Sequence, residues 1–242
     1  MLISIVVPAL NDAVMLTQCL TALAAQTRLA DEVIVVDNGS TDDTAAVALA
    51  AGARVVREPE RGIMPATATG FDAAVGDVVG RLDADSIPPA DWIERVEAAF
   101  TAQPTLAALT GPGDFYGANA LVHWLGRTLY IGGYFWFMRL LLGHAPLFGS
   151  NLALSRSAWQ RLRLTVHRHL REIHDDLDLA YHLEPDMLVR YDPKLRVGIS
   201  ARPFGSWRGL GRRLYWAYTT IRLNTRERGS AKRSGDEAQA RA

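Results

Sequence analysis

The sequence has a single cysteine, Cys19, among 242 residues. That excludes an internal disulfide framework and fits a reducing compartment. Cys19 falls on the apolar side of a predicted helix and reads as core. Surplus charge is absent too: 26 Lys and Arg stand against 26 Asp and Glu. Nothing in the totals draws the chain to nucleic acid, and no specific nucleic-acid partner is expected. There is no long apolar run. The longest uncharged stretch, Leu140 to Ser155, is broken by Gly143, Pro146 and Gly149 and is too short to span a bilayer. The N-terminus has no basic segment leading into a long apolar one, so no signal peptide is expected. The expected location is cytoplasmic, with peripheral contact at the inner face of the cell membrane. Finally, the turn after the first strand has no glycine. A dinucleotide-binding domain needs G-x-G-x-x-G there, and this chain reads Pro8-Ala9-Leu10-Asn11-Asp12. What survives these exclusions is an ordinary globular composition, 49% hydrophobic and 21% charged.

The pattern that is present alternates strand and helix. Ile3–Val7, Val33–Val36, Ala53–Val56 and Val78–Leu82 read as strands, the first two as continuous β-branched runs buried on both faces. Between them Met15, Leu16, Cys19, Leu20 and Leu23 recur at helical spacing. Ser40-Thr41-Asp42-Asp43 offers an N-cap to a helix reaching Ala51, and Pro65–Ala74 forms the next. Such alternation predicts an α/β fold with a mainly parallel sheet. Ligands of these sheets sit outside the carboxyl ends of the strands. Three polar clusters fall there: Pro8-Ala9-Leu10-Asn11, Asp37-Asn38-Gly39-Ser40, and Asp83-Ala84-Asp85.

In the second half, a helix opens at Asp91-Trp92 and strands are expected at Leu106–Leu109, Gly149–Leu154, Met187–Tyr191 and Val197–Ser200. Short helices are expected at Ser157–Leu162 and around Leu177, Ala180 and Leu183. Phe115 to Phe148 is rich in Trp, Tyr, Phe and Leu and carries His123, Arg127, Arg139 and His144. It reads equally as a buried cap or as an interfacial amphipathic surface. Gly209–Asn224 is a basic, aromatic helix with Arg212, Arg213, Tyr215 and Trp216. From Ala201 onward ten Lys and Arg outweigh three Asp and Glu, and residues 226–242, without apolar periodicity, are expected to be a disordered basic tail.

Two carboxylate motifs carry chemistry. In extended chain, Asp83 and Asp85 point to the same side beyond the strand end. They would suit a hard divalent cation such as Mg²⁺ or Mn²⁺, which binds through one or two carboxylates plus substrate phosphates. In His174-Asp175-Asp176, acids in a first helical turn are favoured by the helix dipole, and one of them could serve as general base. His167, His169 and His174 are a weaker metal candidate, since their spacing matches no zinc pattern.

Taken in order, Ser4–Asn11, Glu32–Asp42, Leu82–Asp85, Gly149–Ala153 and Asp175–Leu179 resemble the motifs of family 2 glycosyltransferases with the GT-A fold, over about Ile3 to Trp216. The resemblance implies one GT-A domain over 1–225, with 1–110 binding a nucleotide-diphosphate sugar and 111–225 facing the acceptor. It implies nucleotide-sugar contacts at Pro8, Ala9, Leu10, Asn11, Asp37, Asn38, Ala66, Asp83 and Ala84. It places a divalent metal on Asp85 and Asp83, the catalytic base at Asp176, and the acceptor side at Asn151, Asp175 and Trp216. The implied reaction is inverting, metal-assisted transfer to an acceptor hydroxyl, with a lipid-linked acceptor expected from the aromatic segment and basic helix. Two departures stand out. Ala66-Thr67-Ala68 occupies the place of the family's A-R-N, with Arg61 as the expected substitute. Of Q-x-x-R-W only Trp216 is kept, which argues against processive polymer synthesis. A nucleotidyltransferase would carry a Gly-rich basic loop near the N-terminus, which is missing here. A non-catalytic membrane-surface module would not need both carboxylate motifs.

Overall fold

A computed structural model describes residues 1–117, 132–202 and 207–239. The first half is built as the alternation predicts: β1 (Ile3–Ala9), α1 (Ala13–Ala24), β2 (Glu32–Asp37), α2 (Thr44–Ala50), β3 (Arg54–Arg57), α3 (Ile63–Ala73) and β4 (Val78–Arg81). Then follow α4 (Trp92–Ala102), β5 (Leu106–Thr110), β6 (Gly113–Tyr116), α5 (Gly132–Leu142), β7 (Leu152–Ser155) and α6 (Arg156–Leu162). The chain continues through α7 (Asp175–His182), β8 (Leu188–Tyr191), β9 (Val197–Ser200) and α8 (Trp207–Gln239).

Seven strands form one sheet in the order β3-β2-β1-β4-β7-β5-β8. Only β7 runs against its neighbours, pairing antiparallel with β4 and β5. A second, two-stranded sheet pairs β6 with β9 in parallel. The side-chain alternation of β1 divides the core into two layers. Ile3, Ile5 and Val7 pack with Leu16, Leu20, Trp92 and Phe100 of α1 and α4. Val6 faces the other layer, with Met64, Phe71, Trp159 and Leu177 of α3, α6 and α7. Cys19 lies in the first layer, where burial raises its thiol pKa, as a core cysteine requires. α3 crosses so close to β1 that a Cβ on Gly70 would stand 2.3 Å from the Val6 side chain.

The described part of the aromatic segment has a buried side and an exposed side. On α5, Met138 and Leu142 are buried in the core, and Phe135 packs at 4.8 Å from the ring of Tyr191. Yet Trp136, Phe137, Leu140 and Leu141 of the same helix are 71%, 51%, 74% and 41% exposed. His123 and Arg127 lie outside the described residues. α8 runs on to Gln239, past the point where a tail without regular structure is expected. Residues 226–239 are rich in Ala, Arg, Lys, Glu and Gln, which favour helix without needing an apolar stripe. Among the described residues no helix is long and apolar enough to cross a membrane.

Candidate active site

The parallel strands bring the polar clusters to one edge. Ala9 and Asp37 are register partners across β1 and β2, and the Asn38 amide donates to the Ala9 carbonyl at 3.0 Å. Asp37 is nearly buried and accepts from the Ser40 amide at 2.8 Å. Asn38 and Asn11 are committed to the loops. Asn38 Nδ2 donates to the Glu58 and Glu60 carbonyls, and its Oδ1 accepts from Gly62. Asn11, in the left-handed region at φ 53°, accepts the Thr41 amide on its Oδ1 at 2.7 Å. These two side chains shape the edge. Leu10 stands at the rim, 37% exposed, while Ala66 and Ala84 are buried.

The two aspartates of Asp83-Ala84-Asp85 lie in a turn and have separate partners. β4 ends at Arg81, and Asp83 to Ser86 form a turn in which the Ser86 amide donates to the Asp83 carbonyl at 3.0 Å. Extended geometry is therefore corrected to turn geometry, and each carboxylate finds its own cation. Asp83 pairs with Arg81 at 2.9 Å and accepts from the Ser150 hydroxyl. Asp85 pairs with Arg202 at 2.9 Å, and the other arm of Arg202 reaches Asp12 at 2.6 Å. Burial, then the charge on Asp83, raises the Asp85 pKa even against Arg202.

Arg81 is the centre of the arrangement. It is fully buried at the end of an apolar strand, and its second arm pairs with Asp175 at 3.0 Å. Burial opposes the charge, but Asp175, Asp83, Asp176 and Asp85 outweigh it, so the guanidinium pKa is raised. Thr67 donates to the same Asp175 at 2.6 Å. Asp176, next in α7, accepts from the Gly149 amide at 2.8 Å and from the Leu177 amide at 2.7 Å. Its pKa is raised by burial and by Asp175, only partly offset by His174 and Arg81. Gly149 must be glycine: a Cβ there would lie 2.1 Å from the Arg81 guanidinium.

Because β7 runs antiparallel, the turn before it arrives at the edge where the other strands end. Gly149 holds Asp176 and Ser150 holds Asp83, so consecutive residues join the two carboxylate motifs.

A profile of the family described as Glycosyl transferase family 2 matches residues 4–162. The chain belongs to glycosyl transferase family 2. Glycosyltransferase AglE of Haloferax volcanii is 32% identical over 126 residues, covering 48% of this chain and 38% of that protein. Glucosyl-3-phosphoglycerate synthase of Mycobacterium tuberculosis is 42% identical over 96 residues, 36% of this chain and 30% of that protein. The matched stretches thus span well under half of these relatives' own length. The crystal structure of that synthase in complex with Mn²⁺, uridine diphosphate and glucosyl-3-phosphoglycerate superposes with a TM-score of 0.57 at 24% identity, covering 82% of this chain and 70% of that one. The shared architecture is the GT-A fold.

Within this family 2 domain, the remaining expected residues have definite places. Asn151 is fully buried and wholly engaged: it accepts from Trp92 Nε1 at 2.8 Å and donates to the Leu195 and Pro112 carbonyls. It locks the turn before β7 and presents no free side chain to an acceptor. Trp216 packs edge-on against His174 at 6.2 Å, with Arg212 over its ring at 5.4 Å, so it supports the helix that carries Asp175 and Asp176. Arg61 donates to the Gly39 carbonyl at 2.9 Å, beside the Asp37 loop. In Ala66-Thr67-Ala68 the middle residue meets Asp175. The three histidines are not gathered: His169 turns to Glu60, His174 to the Arg213 carbonyl, and His167 to Asp178. Sequence reasoning passed over Arg81, Ser150, Thr67 and Arg202. Arg81 left a signal as a lone charge closing an apolar strand, and Ser150 and Thr67 lay within stretches singled out for other residues.

Proposed function

We propose that this family 2 domain transfers a sugar from a nucleotide-diphosphate sugar to an acceptor hydroxyl by single displacement with inversion. The observation that carries the reading is the pair of successive residues, Gly149 and Ser150, holding Asp176 and Asp83 at one sheet edge. A base on one side and a phosphate-side carboxylate on the other is what in-line attack at an anomeric carbon needs. Asp176 takes the acceptor's hydroxyl proton as the oxygen bonds to the anomeric carbon. The bond from that carbon to the diphosphate oxygen breaks, and its electron pair leaves with the nucleotide diphosphate. The raised Asp176 pKa makes its carboxylate a better base than an ordinary aspartate. The nucleoside is assigned to Asp37 with Pro8, Ala9, Leu10, Asn11, Asn38, Ala66 and Ala84, a reading supported by the pairing of Ala9 with Asp37 at the sheet edge.

A divalent cation, Mg²⁺ or Mn²⁺, fits at Asp85 with Asp83. The Asp85 carboxylate already takes a guanidinium as counter-charge, from a half-exposed side chain that can yield the contact. A bound ion would offset the charge developing on the leaving diphosphate. A uridine diphosphate donor is supported by the 42% match over 96 residues to glucosyl-3-phosphoglycerate synthase, a protein whose crystal structure holds uridine diphosphate and Mn²⁺. The exposed apolar faces of α5 and of α8, where Leu214, Tyr215 and Tyr218 are more than half exposed, support a lipid-linked acceptor reached at an anionic membrane surface.

Hydrolysis or transfer of UDP-sugars with Mn²⁺ tests the reaction, and loss of both in Asp176→Asn with donor binding retained is the expected result. Unchanged turnover in that variant would remove Asp176 from the role. Co-sedimentation with anionic vesicles tests the membrane surface, and no binding at low salt would overturn it.

A further inference from the structure

Further along α7 from Asp175, towards its C-terminal end, two imidazoles and a carboxylate meet. His167 Nε2 lies 3.0 Å from Glu227 of α8, and its Nδ1 donates to Asp178 at 2.7 Å. His182 stacks edge-on against His167 with ring centroids 5.1 Å apart. Its Nδ1 donates to the Asp178 carbonyl at 2.9 Å, so its Nε2 keeps a lone pair to offer. One donor atom from each of His167, His182 and Glu227 falls within 4.8 Å of the others.

We infer that His167, His182 and Glu227 form a binding site for a transition-metal ion of the Zn²⁺ class, separate from the Asp83–Asp85 site and bridging α8 to the body of the domain. Two imidazoles and one carboxylate suit a borderline ion and leave a fourth position for water. The surroundings are what such ligands require. Metal-bound histidines are held by a second hydrogen bond from the other ring nitrogen, to a carboxylate or a backbone carbonyl. Here one residue, Asp178, supplies both, its carboxylate to His167 and its carbonyl to His182. Asp178 is itself fully buried and further fixed by the His167 amide at 2.9 Å and by Asn224 Nδ2 at 2.9 Å. A tetrahedral Zn²⁺ with bonds of about 2.0–2.1 Å separates its donors by about 3.4 Å, so the widest separation, within 4.8 Å, must close by up to about 1.4 Å while the 3.0 Å His167–Glu227 pair opens slightly. Glu227, its carboxylate 52% exposed on α8, is the member able to move.

The alternative is a metal-free chain, Asp178 to imidazolium to Glu227. It accounts for His167, whereas among the described residues no protein group bonds the Nε2 of His182. A metal at this point would clamp α8, which also supports His174 through the Thr220 hydroxyl at 3.0 Å and through Trp216. It would thereby steady the helix that begins with Asp175 and Asp176.

The full chain, stripped with chelator, is titrated with Zn²⁺ against a chromophoric competitor, and Co²⁺ is used as a spectroscopic probe. One equivalent should bind, Co²⁺ should give the visible bands of a four-coordinate ion, and Tm should rise with Zn²⁺. His182→Ala should abolish the Co²⁺ bands and weaken Zn²⁺ at least about tenfold. Glu227→Gln, on an exposed helix face, should weaken it while the fold is retained. Asp85→Ala should leave the Zn²⁺ titration unchanged, which separates this site from the donor-side cation. A Zn²⁺ titration unaffected by His182→Ala and Glu227→Gln, or no Zn²⁺ retained against the competitor, would overturn the assignment in favour of the hydrogen-bonded chain.

Discussion

Two aspartate pairs meet at Arg81, and they are divided in the same way. In Asp83/Asp85 and in Asp175/Asp176, one member pairs with the buried guanidinium: Asp83 at 2.9 Å and Asp175 at 3.0 Å. The other, Asp85 or Asp176, is left with a pKa raised by burial and by its neighbour. One cation therefore sorts four carboxylates into two anchors and two that remain costly to ionise. The costly ones face opposite tasks. Asp85 is relieved by positive charge, from Arg202 here and from a divalent ion in the proposed reaction. Asp176 has no salt-bridge partner among the described residues and is relieved by a proton. The same physics thus suits one pair to the proposed cation site and the other to the proposed base.

The most damaging way to break this comparison is Asp176→Asn, which should cost about 10²–10⁴-fold in transfer with donor binding unchanged in calorimetry. Thermal unfolding of the same variant should show equal or higher stability near neutral pH. A charge destabilised by burial and by Asp175 is removed there. Next is Arg81→Met, which leaves Asp175 buried without its cation. The expected loss is about 3–5 kcal/mol, read by denaturant unfolding, and Asp175→Asn in the same chain should recover part of it. Thr67→Val removes the hydroxyl that donates to Asp175, for about 1.5–3 kcal/mol with the core volume kept. Asp85→Ala should weaken metal-dependent nucleotide diphosphate binding by at least about tenfold, or 1.4 kcal/mol, without touching the Arg81–Asp175 pair. The gentlest test is the pH profile. The base must be ionised, and its pKa is raised. The rate should therefore fall about tenfold per pH unit on the acid side, beginning above the ordinary aspartate value of about 3.9. An acid limb at the ordinary value would contradict a desolvated Asp176.

Much of the first half, β1 to β4, was legible because its evidence is local. Continuous apolar runs that stop at Pro8 and Asp37 announce buried parallel strands and the edge where they end. The chemistry at that edge was legible only as residue types. Thr67 meets Asp175 across 108 residues and Arg202 meets Asp85 across 117, separations that no periodicity reports. The direction of β7 was hidden for the same reason, since Leu152–Ser155 looks alike read either way. β6 is four residues long and pairs only with distant β9. Asn151 shows the limit of motif reading: a motif names the residue, but a fully buried amide bonded to Trp92 and to two backbone carbonyls holds the fold together. Trp216 and Asn38 teach the same lesson.

The antiparallel entry of β7 has a mechanical consequence. Neighbouring Cα atoms across a trans peptide stand about 3.8 Å apart, and here a single such unit separates Gly149, which grips Asp176, from Ser150, which grips Asp83. The two halves of the domain cannot drift along that line without stretching a covalent bond or releasing one grip. The peptide between Gly149 and Ser150 works as a fixed spacer, a gauge block one residue long. Lengthening it by a single inserted alanine should uncouple the two carboxylates more thoroughly than many side-chain changes in either half.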